Sequence, residues 1–269
     1  MAQGEIAKFR RAIWAQYRAH GRHSLPWRRT RDSYKVLVSE VMLQQTQVER
    51  VIPFYEQFIK QFPTARRLAA APLSDVLRAW QGLGYNRRAK MLRAAAGELA
   101  ARKVRTIPEL EALPGVGPYT ARAVAAFAWN EEVIFVETNI RTAVIHHFFP
   151  KKKKVSDKAV EGILAQALPK GRAREWYSAL MDYGAALKRA GISHNAKSAA
   201  YAKQSRFAGS LREARGAILR ELAKGAQTKK RLIGLLGDDR EAQLAWALTA
   251  LIAEKLIARQ RGGFALSDQ

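Results

Sequence analysis

The 269-residue chain contains no cysteine. That absence excludes disulfides, thiolate nucleophiles, zinc held by cysteine and an iron–sulfur cluster held by cysteine. Acidic residues are scarce as well, 23 Asp+Glu against 47 Lys+Arg, which leaves a formal charge of +24. No apolar run reaches the length of a membrane span. The stretch from Met1 to Tyr17 mixes charge with apolar residues at helical spacing and has no continuous apolar core of a signal peptide. Internal repeats and low-complexity tracts are missing, apart from the run Lys151–Lys154, which reads as a solvated loop. A protein of the cytoplasm with no membrane association is the expectation.

What is present is a substantial apolar fraction, 48% of residues, enough for a real core. The basic excess points to a polyanionic partner. Nucleic acid fits, since basic side chains that neutralise phosphates release condensed counterions; an acidic membrane surface or a ribosomal setting are the competing readings. Ala-, Leu-, Arg- and Glu-rich segments with apolar spacing of three and four predict a mainly α fold of many short helices, broken at Pro26, Pro53, Pro63, Pro72, Gly82, Pro108, Gly115 and Pro150. A main body over residues 1–192 is followed by a basic linker over 193–210 and a separate unit over 211–269. This last unit reads as three helices and then a small β-hairpin turning at Arg261-Gly262-Gly263, the outline of a winged helix. A plain helical capping or dimerisation unit is the alternative.

The string Leu113-Pro114-Gly115-Val116-Gly117-Pro118-Tyr119-Thr120 lies between two helical segments, Ile107 to Ala112 and Tyr119 to Trp129. Two glycines two apart permit a tight turn and remove side chains that would keep a ligand from the backbone. The N–H groups of Gly115, Val116 and Gly117 then open a helix, where unpaired donors and the dipole favour an anion. A phosphate is the natural ligand; a bare interhelical turn is the plainer one.

Leu113 to Thr120 resembles the helix-hairpin-helix of the base-excision DNA glycosylases. In that family a catalytic Asp follows in a Val-Asp-Thr-Asn-Val-Arg-like string, and this chain has Val136-Glu137-Thr138-Asn139-Ile140-Arg141. The resemblance extends through Leu25-Pro26-Trp27, Ser39-Glu40-Val41-Met42-Leu43-Gln44-Gln45-Thr46-Gln47, Gly82-Leu83-Gly84-Tyr85 and Ala179-Leu180-Met181-Asp182-Tyr183-Gly184-Ala185, roughly residues 10 to 190. The string around Glu40 is that of the mismatch adenine branch. The resemblance implies a two-lobed body, with a six-helix lobe over about residues 30–135 and a second lobe built from both flanks. It implies a nucleoid-associated, monomeric enzyme acting on double-stranded DNA that carries a mispaired base.

Breaking an N-glycosidic bond requires a better leaving group and a stabilised oxocarbenium-like sugar, and two carboxyls can divide that labour. If Tyr34 to Thr46 is one helix, Val36, Leu37 and Leu43 share the face near Glu40, and burial there raises its pKa and keeps a proton for adenine N7. A partly exposed Glu40 packing only its stem is the bland alternative. Glu137 takes the position of the family's Asp. Its extra methylene is expected to move the carboxylate by about an ångström, a displacement that can cost on the order of 10²-fold in rate; alternatively it is only an acid near a helix start capped by Thr138 or Asn139. Tyr119 stands where bifunctional relatives carry a Schiff-base lysine, so a monofunctional enzyme is expected. The resemblance also implies that Asn139 orients Glu137 or a phosphate.

A base inside a duplex must be flipped out before it can be cut. Gln44, Gln45 and Tyr85 match family positions that wedge into the stack, and Trp27 and Arg28 are further candidates for DNA contact. Many relatives carry four cysteines after the segment ending at Ala185; here the chain runs Leu187-Lys188-Arg189-Ala190, so no 4Fe-4S cofactor is expected. Lys188, Arg189, Lys197 and Lys203 are candidates for keeping phosphate contacts without metal, and the five histidines form no metal-ligand pattern. The C-terminal unit does not resemble the larger domain that adenine glycosylases use to recognise 8-oxoguanine, so added DNA contacts, and not recognition of that lesion, are expected of it. Removal of adenine opposite 8-oxoguanine or guanine is the leading expectation. Excision of thymine, uracil or hypoxanthine from mispairs, or non-catalytic DNA binding, remain open at this stage.

Overall fold

In a computed structural model, residues 3–198 and 206–268 are described. Lys203, a candidate phosphate contact, lies outside them. In chain order the helices are α1 (Gln3–His20), α2 (Ser33–Leu43), α3 (Val48–Gln61), α4 (Ala65–Ala70), α5 (Leu73–Ala79), α6 (Arg87–Ala101) and α7 (Ile107–Glu111). These are followed by α8 (Pro118–Val124), α9 (Thr138–Phe148), α10 (Asp157–Ala167), α11 (Ala173–Arg189), α12 (Leu211–Leu222), α13 (Lys229–Leu236) and α14 (Glu241–Ala253). Two strands, β1 (Ile257–Gln260) and β2 (Gly263–Leu266), close the chain as an antiparallel hairpin with Ile257 opposite Leu266. The mainly α expectation holds.

Several helices start where the sequence supplies a side-chain acceptor for an orphan N–H. Asp32 accepts from Tyr34 N at 2.8 Å ahead of α2, and Thr64, Ser156, Ser210 and Thr228 accept from the third residue onward at the starts of α4, α10, α12 and α13. Pro118 opens α8, where its missing N–H costs nothing. α8 then widens into a π turn over Ala125–Trp129, ended by Asn130 at φ +61°.

The chain forms two compact units whose limits differ from the sequence boundaries. The first contains residues 1–40, 106–111 and 116–203; the second contains 41–105, 112–115 and 204–269. In the first, α1, α9, α10 and α11 enclose a core of Phe9, Ile13, Ile140, Val144, Leu164, Trp176 and Leu180. Phe9 meets Trp176 edge-on at 5.9 Å. In the second, α6 packs against α4 and α5, and the three C-terminal helices with the hairpin belong to the same compact body. There Lys90 Nζ donates to Glu254 O at 2.6 Å, Arg78 Nε to Ala223 O at 3.2 Å, and Leu73 N to Asp268 O at 3.4 Å. The 211–269 segment is therefore fastened to the α5–α6 region. Backbone pairing of Gln227 with Phe264 adds a third short edge to the hairpin.

Candidate active site

In the first unit, the extended residues Val133–Val136 deliver Glu137 to the start of α9. Two contacts from α11 hold this run: Tyr177 donates its hydroxyl to Val133 O at 2.5 Å and stacks on Phe135 at 4.0 Å between ring centres. Phe135 also receives the edge of Tyr119, at 5.8 Å, from α8. Aromatic burial thus places both Tyr119 and the backbone that leads into Glu137.

Glu137 is itself the cap of α9. Its Oε1 accepts from the backbone N–H groups of Asn139 and Ile140, each at 2.7 Å. Its Oε2 accepts from Asn139 Nδ2 at 3.2 Å. The capping that the sequence offered to Thr138 or Asn139 thus belongs to Glu137. Burial pushes its pKa up, opposed by the two backbone N–H groups and by the charges of Lys188 and Arg141. Because the carboxylate is anchored to the helix N–H groups, its position is set by α9 and not simply by side-chain length. Glu137 has the extended backbone usual for a helix cap, φ −128° and ψ 177°.

Asn139 is oriented from α11. Lys188 Nζ donates to Asn139 Oδ1 at 2.8 Å, which turns the amide NH2 toward Glu137. Desolvation lowers the Lys188 pKa, and the Glu137 charge opposes that effect. Lys188 is thus engaged with a protein side chain, whereas Arg189 is exposed. The close approach of α11 to α9 depends on Gly184: a Cβ there would lie 2.1 Å from Asn139 O and 2.6 Å from Asn139 C.

Glu40, near the end of α2, is buried at 6% exposure. Its Oε2 accepts the Tyr119 hydroxyl at 3.2 Å. Burial raises its pKa to about 7; the Tyr119 bond works against that, and the Glu137 charge adds to it. Burial also lifts the Tyr119 pKa well above its usual value, with Glu40 adding to the rise, so the phenol stays protonated and donates. The two carboxyls therefore differ in kind. Glu40 is suited to hold a proton near neutrality, and Glu137 to be a fixed acceptor in a nest of N–H donors.

Other candidates occupy places the sequence did not specify. Trp27 is buried. Arg28, expected at DNA, is turned inward: its Nη1 and Nη2 donate to Asp182 at 2.7 and 2.9 Å, and Nη2 also to Ser178 O at 3.2 Å. Its planar fork is committed to a buried carboxylate that Arg22 also grips at 2.6 Å. Burial alone would raise the Asp182 pKa, but these bonds outweigh it and the pKa is lowered. Asp182 stood in the quoted string with no assigned role; a buried acid among arginines is its signal. Gly115, in the second unit, needs to be glycine because φ is +75° and a Cβ would lie 2.6 Å from Met91 Cβ. Gly117, in the first, has φ −94°, and a Cβ there would meet none of the described residues within 4 Å, so none of them demands a glycine at that position. Val116 is buried.

In the second unit Gln44 and Gln45 do not continue α2, which ends at Leu43; Gln45 has φ +56°. Tyr85, at φ +47° after Gly82 and Gly84, is 39% exposed. Between these turns lies Arg88, which sequence reading missed. It donates to Val41 O at 2.7 Å, Gln44 O at 2.5 Å, Leu83 O at 3.2 Å and Gly84 O at 3.3 Å, and its guanidinium sits 5.4 Å from the Tyr85 ring centre. Desolvation lowers its pKa to about 10.

A 4Fe-4S cluster needs a set of thiolate ligands, and a chain without cysteine does not fit one. Hydrogen bonds instead hold the segment after α11. Gly191, at φ +79°, ends the helix with Gly191 N donating to Lys188 O at 3.0 Å and Ile192 N to Leu187 O at 2.9 Å. Lys197 Nζ donates to Pro150 O at 2.6 Å, and Val155 N to Lys197 O at 2.9 Å. The His194 ring stacks on His146 at 5.7 Å. Lys197 is thus tied to the protein. Among the described residues, no group of three or more His, Asp or Glu converges as a metal site.

Residues 38–170 match the family model described as HhH-GPD superfamily base excision DNA repair protein. The chain is 36% identical over 275 residues to an adenine DNA glycosylase of Mycolicibacterium smegmatis, covering 93% of each. It is 46% identical over 136 residues to one of Mycobacterium tuberculosis, covering 49% of this chain and 44% of that protein. Among solved structures, a thermostable thymine-DNA glycosylase superposes with a TM-score of 0.58 at 25% identity, covering 68% of this chain and 87% of that one. An endonuclease III trapped on DNA superposes at 0.57 and 20% identity over 71% of this chain and 87% of that one, a likeness of fold. With Glu40, Tyr119 and Glu137 grouped within the first unit and a near full-length relative at this identity, the chain belongs to the HhH-GPD superfamily of base excision DNA repair proteins, in its adenine DNA glycosylase family.

Proposed function

We propose that this protein is a monofunctional adenine DNA glycosylase that hydrolyses the N-glycosidic bond of adenine opposite 8-oxoguanine or guanine in double-stranded DNA. The observation that carries the reading is the pairing of Glu40, buried on Tyr119 with a pKa of about 7, with Glu137, held by backbone N–H groups in the same unit. The relatives named adenine DNA glycosylase support the base.

Glu40 donates its proton to N7 of the extruded adenine. The C1′–N9 bond then breaks, its electron pair leaves with the base, and positive charge develops on the sugar. The Glu137 carboxylate stabilises that charge, with Oε1 fixed by two N–H groups and Oε2 accepting from the Asn139 amide. Water adds to C1′ and gives up a proton to a carboxylate, leaving an abasic site. Tyr119 offers no amine, so no Schiff base forms at that position.

The charge of +24 supports binding along phosphates. The exposure of Gly117, where no neighbour among the described residues explains the missing side chain, supports approach of a DNA backbone from outside. Gln44, Gln45 and Tyr85 are read as the residues that fill the stack. A nucleic-acid enzyme of this kind works inside the cell at the nucleoid, as a monomer; no described helix is long and apolar enough to cross a membrane.

The test is single-turnover incubation with labelled duplexes carrying A:8-oxoG, A:G, T:G, U:G and inosine, followed by alkali. Product is expected from the first two. Absence of product on every duplex despite tight binding refutes an enzyme, product only from T:G or U:G refutes the adenine reading, and strand scission without alkali refutes the monofunctional one.

A further inference from the structure

Tyr85 shares its surface with residues that the C-terminal segment brings to it. Arg212, in the first turn of α12, donates from Nη1 to the Tyr85 hydroxyl at 3.0 Å. The same guanidinium lies 5.9 Å from the ring centre of Phe207. Phe207 is 59% exposed and Leu211 45%, and with Tyr85 they make three of the large apolar side chains that this protein shows to solvent. An aromatic–cation–aromatic array is an expensive surface to leave in water unless something stacks on it.

The array is held rigidly. Ser210 caps α12 by accepting from Glu213 N at 3.3 Å and donates its hydroxyl to Phe207 O at 2.6 Å, while the Glu213 carboxylate accepts from Gly209 N at 2.6 Å, one residue before the cap. From α14, Gln243 Nε2 donates to Gly209 O at 2.8 Å. On the other side, the Arg88 guanidinium lies 5.4 Å from the Tyr85 ring centre and donates to the carbonyl of the preceding Gly84 at 3.3 Å. Tyr85 occupies a left-handed backbone conformation that a non-glycine residue adopts only when its surroundings enforce it.

Nucleobases fit such a surface: they stack on rings and accept hydrogen bonds from guanidinium groups, and a protein of charge +24 draws DNA toward it. We propose that Arg212 is a positioning residue for Tyr85 and that Tyr85, Arg212 and Phe207 form one composite surface that receives unstacked bases, so that the C-terminal segment takes part in extruding the target. The proposal rests on the reading of Tyr85 as the residue that enters the stack. It gives the 211–269 unit a task other than reading DNA at a distance from the lesion.

The experiment uses the full chain with Glu40→Gln, to stop excision, and a duplex with 2-aminopurine in the target position opposite guanine. Its fluorescence rises when the base leaves the stack, so extrusion is read whether or not the adenine reading of catalysis is right. Tyr85→Phe and Arg212→Ala are each expected to cut the rise at saturating protein by about fivefold, and together by no more than either alone, because both remove one shared bond. Arg212→Lys restores part of the signal, and Phe207→Ala lowers it by about twofold. A 2-aminopurine already unstacked in a single-base bulge gives the unsubstituted signal with every variant. Multiplicative losses in the double variant, equal losses on the bulge, or full signals from both single variants overturn the proposal. So does uniformly weaker binding to fully paired DNA with an unchanged extruded fraction, which would make Arg212 a phosphate contact only.

Discussion

Glu40 and Glu137 are both buried carboxyls in one compact unit, yet the structure gives them different partners. Around Glu137 the protein spends backbone N–H groups, an amide, and the charges of Lys188 and Arg141. Around Glu40, among the described residues, it supplies the Tyr119 phenol, and burial outweighs that bond. The difference teaches that burial alone does not assign a role; the supply of donors does. Burial raises both pKa values; at Glu137 a set of N–H donors and two cations oppose the rise, and at Glu40 the Tyr119 phenol does.

The largest expected effect comes from removing that difference. Glu40→Gln leaves no acid and should lower single-turnover excision by about 10²- to 10⁴-fold. It should also change stability in a direction set by linkage. The folded pKa of about 7 lies above the unfolded value of 4.5, so between those values the native state binds more protons and its stability falls as pH rises. Below pH 4.5 the penalty is absent, and above 7 it is complete, on the order of 3 kcal/mol. Thermal melts should show Glu40→Gln more stable than the unsubstituted protein at pH 8 and equal to it near pH 4. A variant that is equally or less stable at pH 8 would contradict the assigned environment. Excision by the unsubstituted protein should fall about tenfold per pH unit above pH 7 under single-turnover conditions.

Next in size is Gly184→Ala, whose methyl group collides with the Asn139 backbone. It should destabilise by roughly 1–3 kcal/mol and slow excision by about 10²-fold through displacement of Glu137, while affinity for undamaged duplex stays level. Glu137→Asp should be milder, within about tenfold of the starting rate, because the α9 N–H groups hold whichever carboxylate stands there. Loss comparable to Glu137→Gln would mean that side-chain length decides after all. The smallest expected effect belongs to Lys188→Met. Removing a positive neighbour disfavours the Glu137 carboxylate, so the acidic limb of the pH–rate profile should move to higher pH while the alkaline limb, owed to Glu40, stays put.

The helical class and the C-terminal helices and hairpin were legible in the sequence, because each rests on local pattern, and the apolar stripe beside Glu40 pointed to a buried carboxyl there. What the sequence hid depends on partners distant in the chain. α2 stops at Leu43 although glutamines favour helix, because Arg88, more than forty positions later, takes the carbonyls of Val41 and Gln44. Arg28 looked free for DNA, and nothing local announces Asp182 as its partner at |i−j| of 154. The membership of residues 204–269 in one compact unit with 41–105 was equally hidden, since the bonds from Arg78 and Lys90 end on backbone carbonyls, which carry no residue-type signal.

The segment after α11 carries a consequence of its own. Where cysteine-ligated metal would make such a loop sensitive to oxidants, this one is fastened by lysine ammonium groups, backbone amides and a stacked pair of imidazoles. Burial, Lys197 and His146 all resist charging of His194. The grip of this loop on the Lys188 end of α11 therefore runs through backbone hydrogen bonds, which do not answer to the redox state of its surroundings.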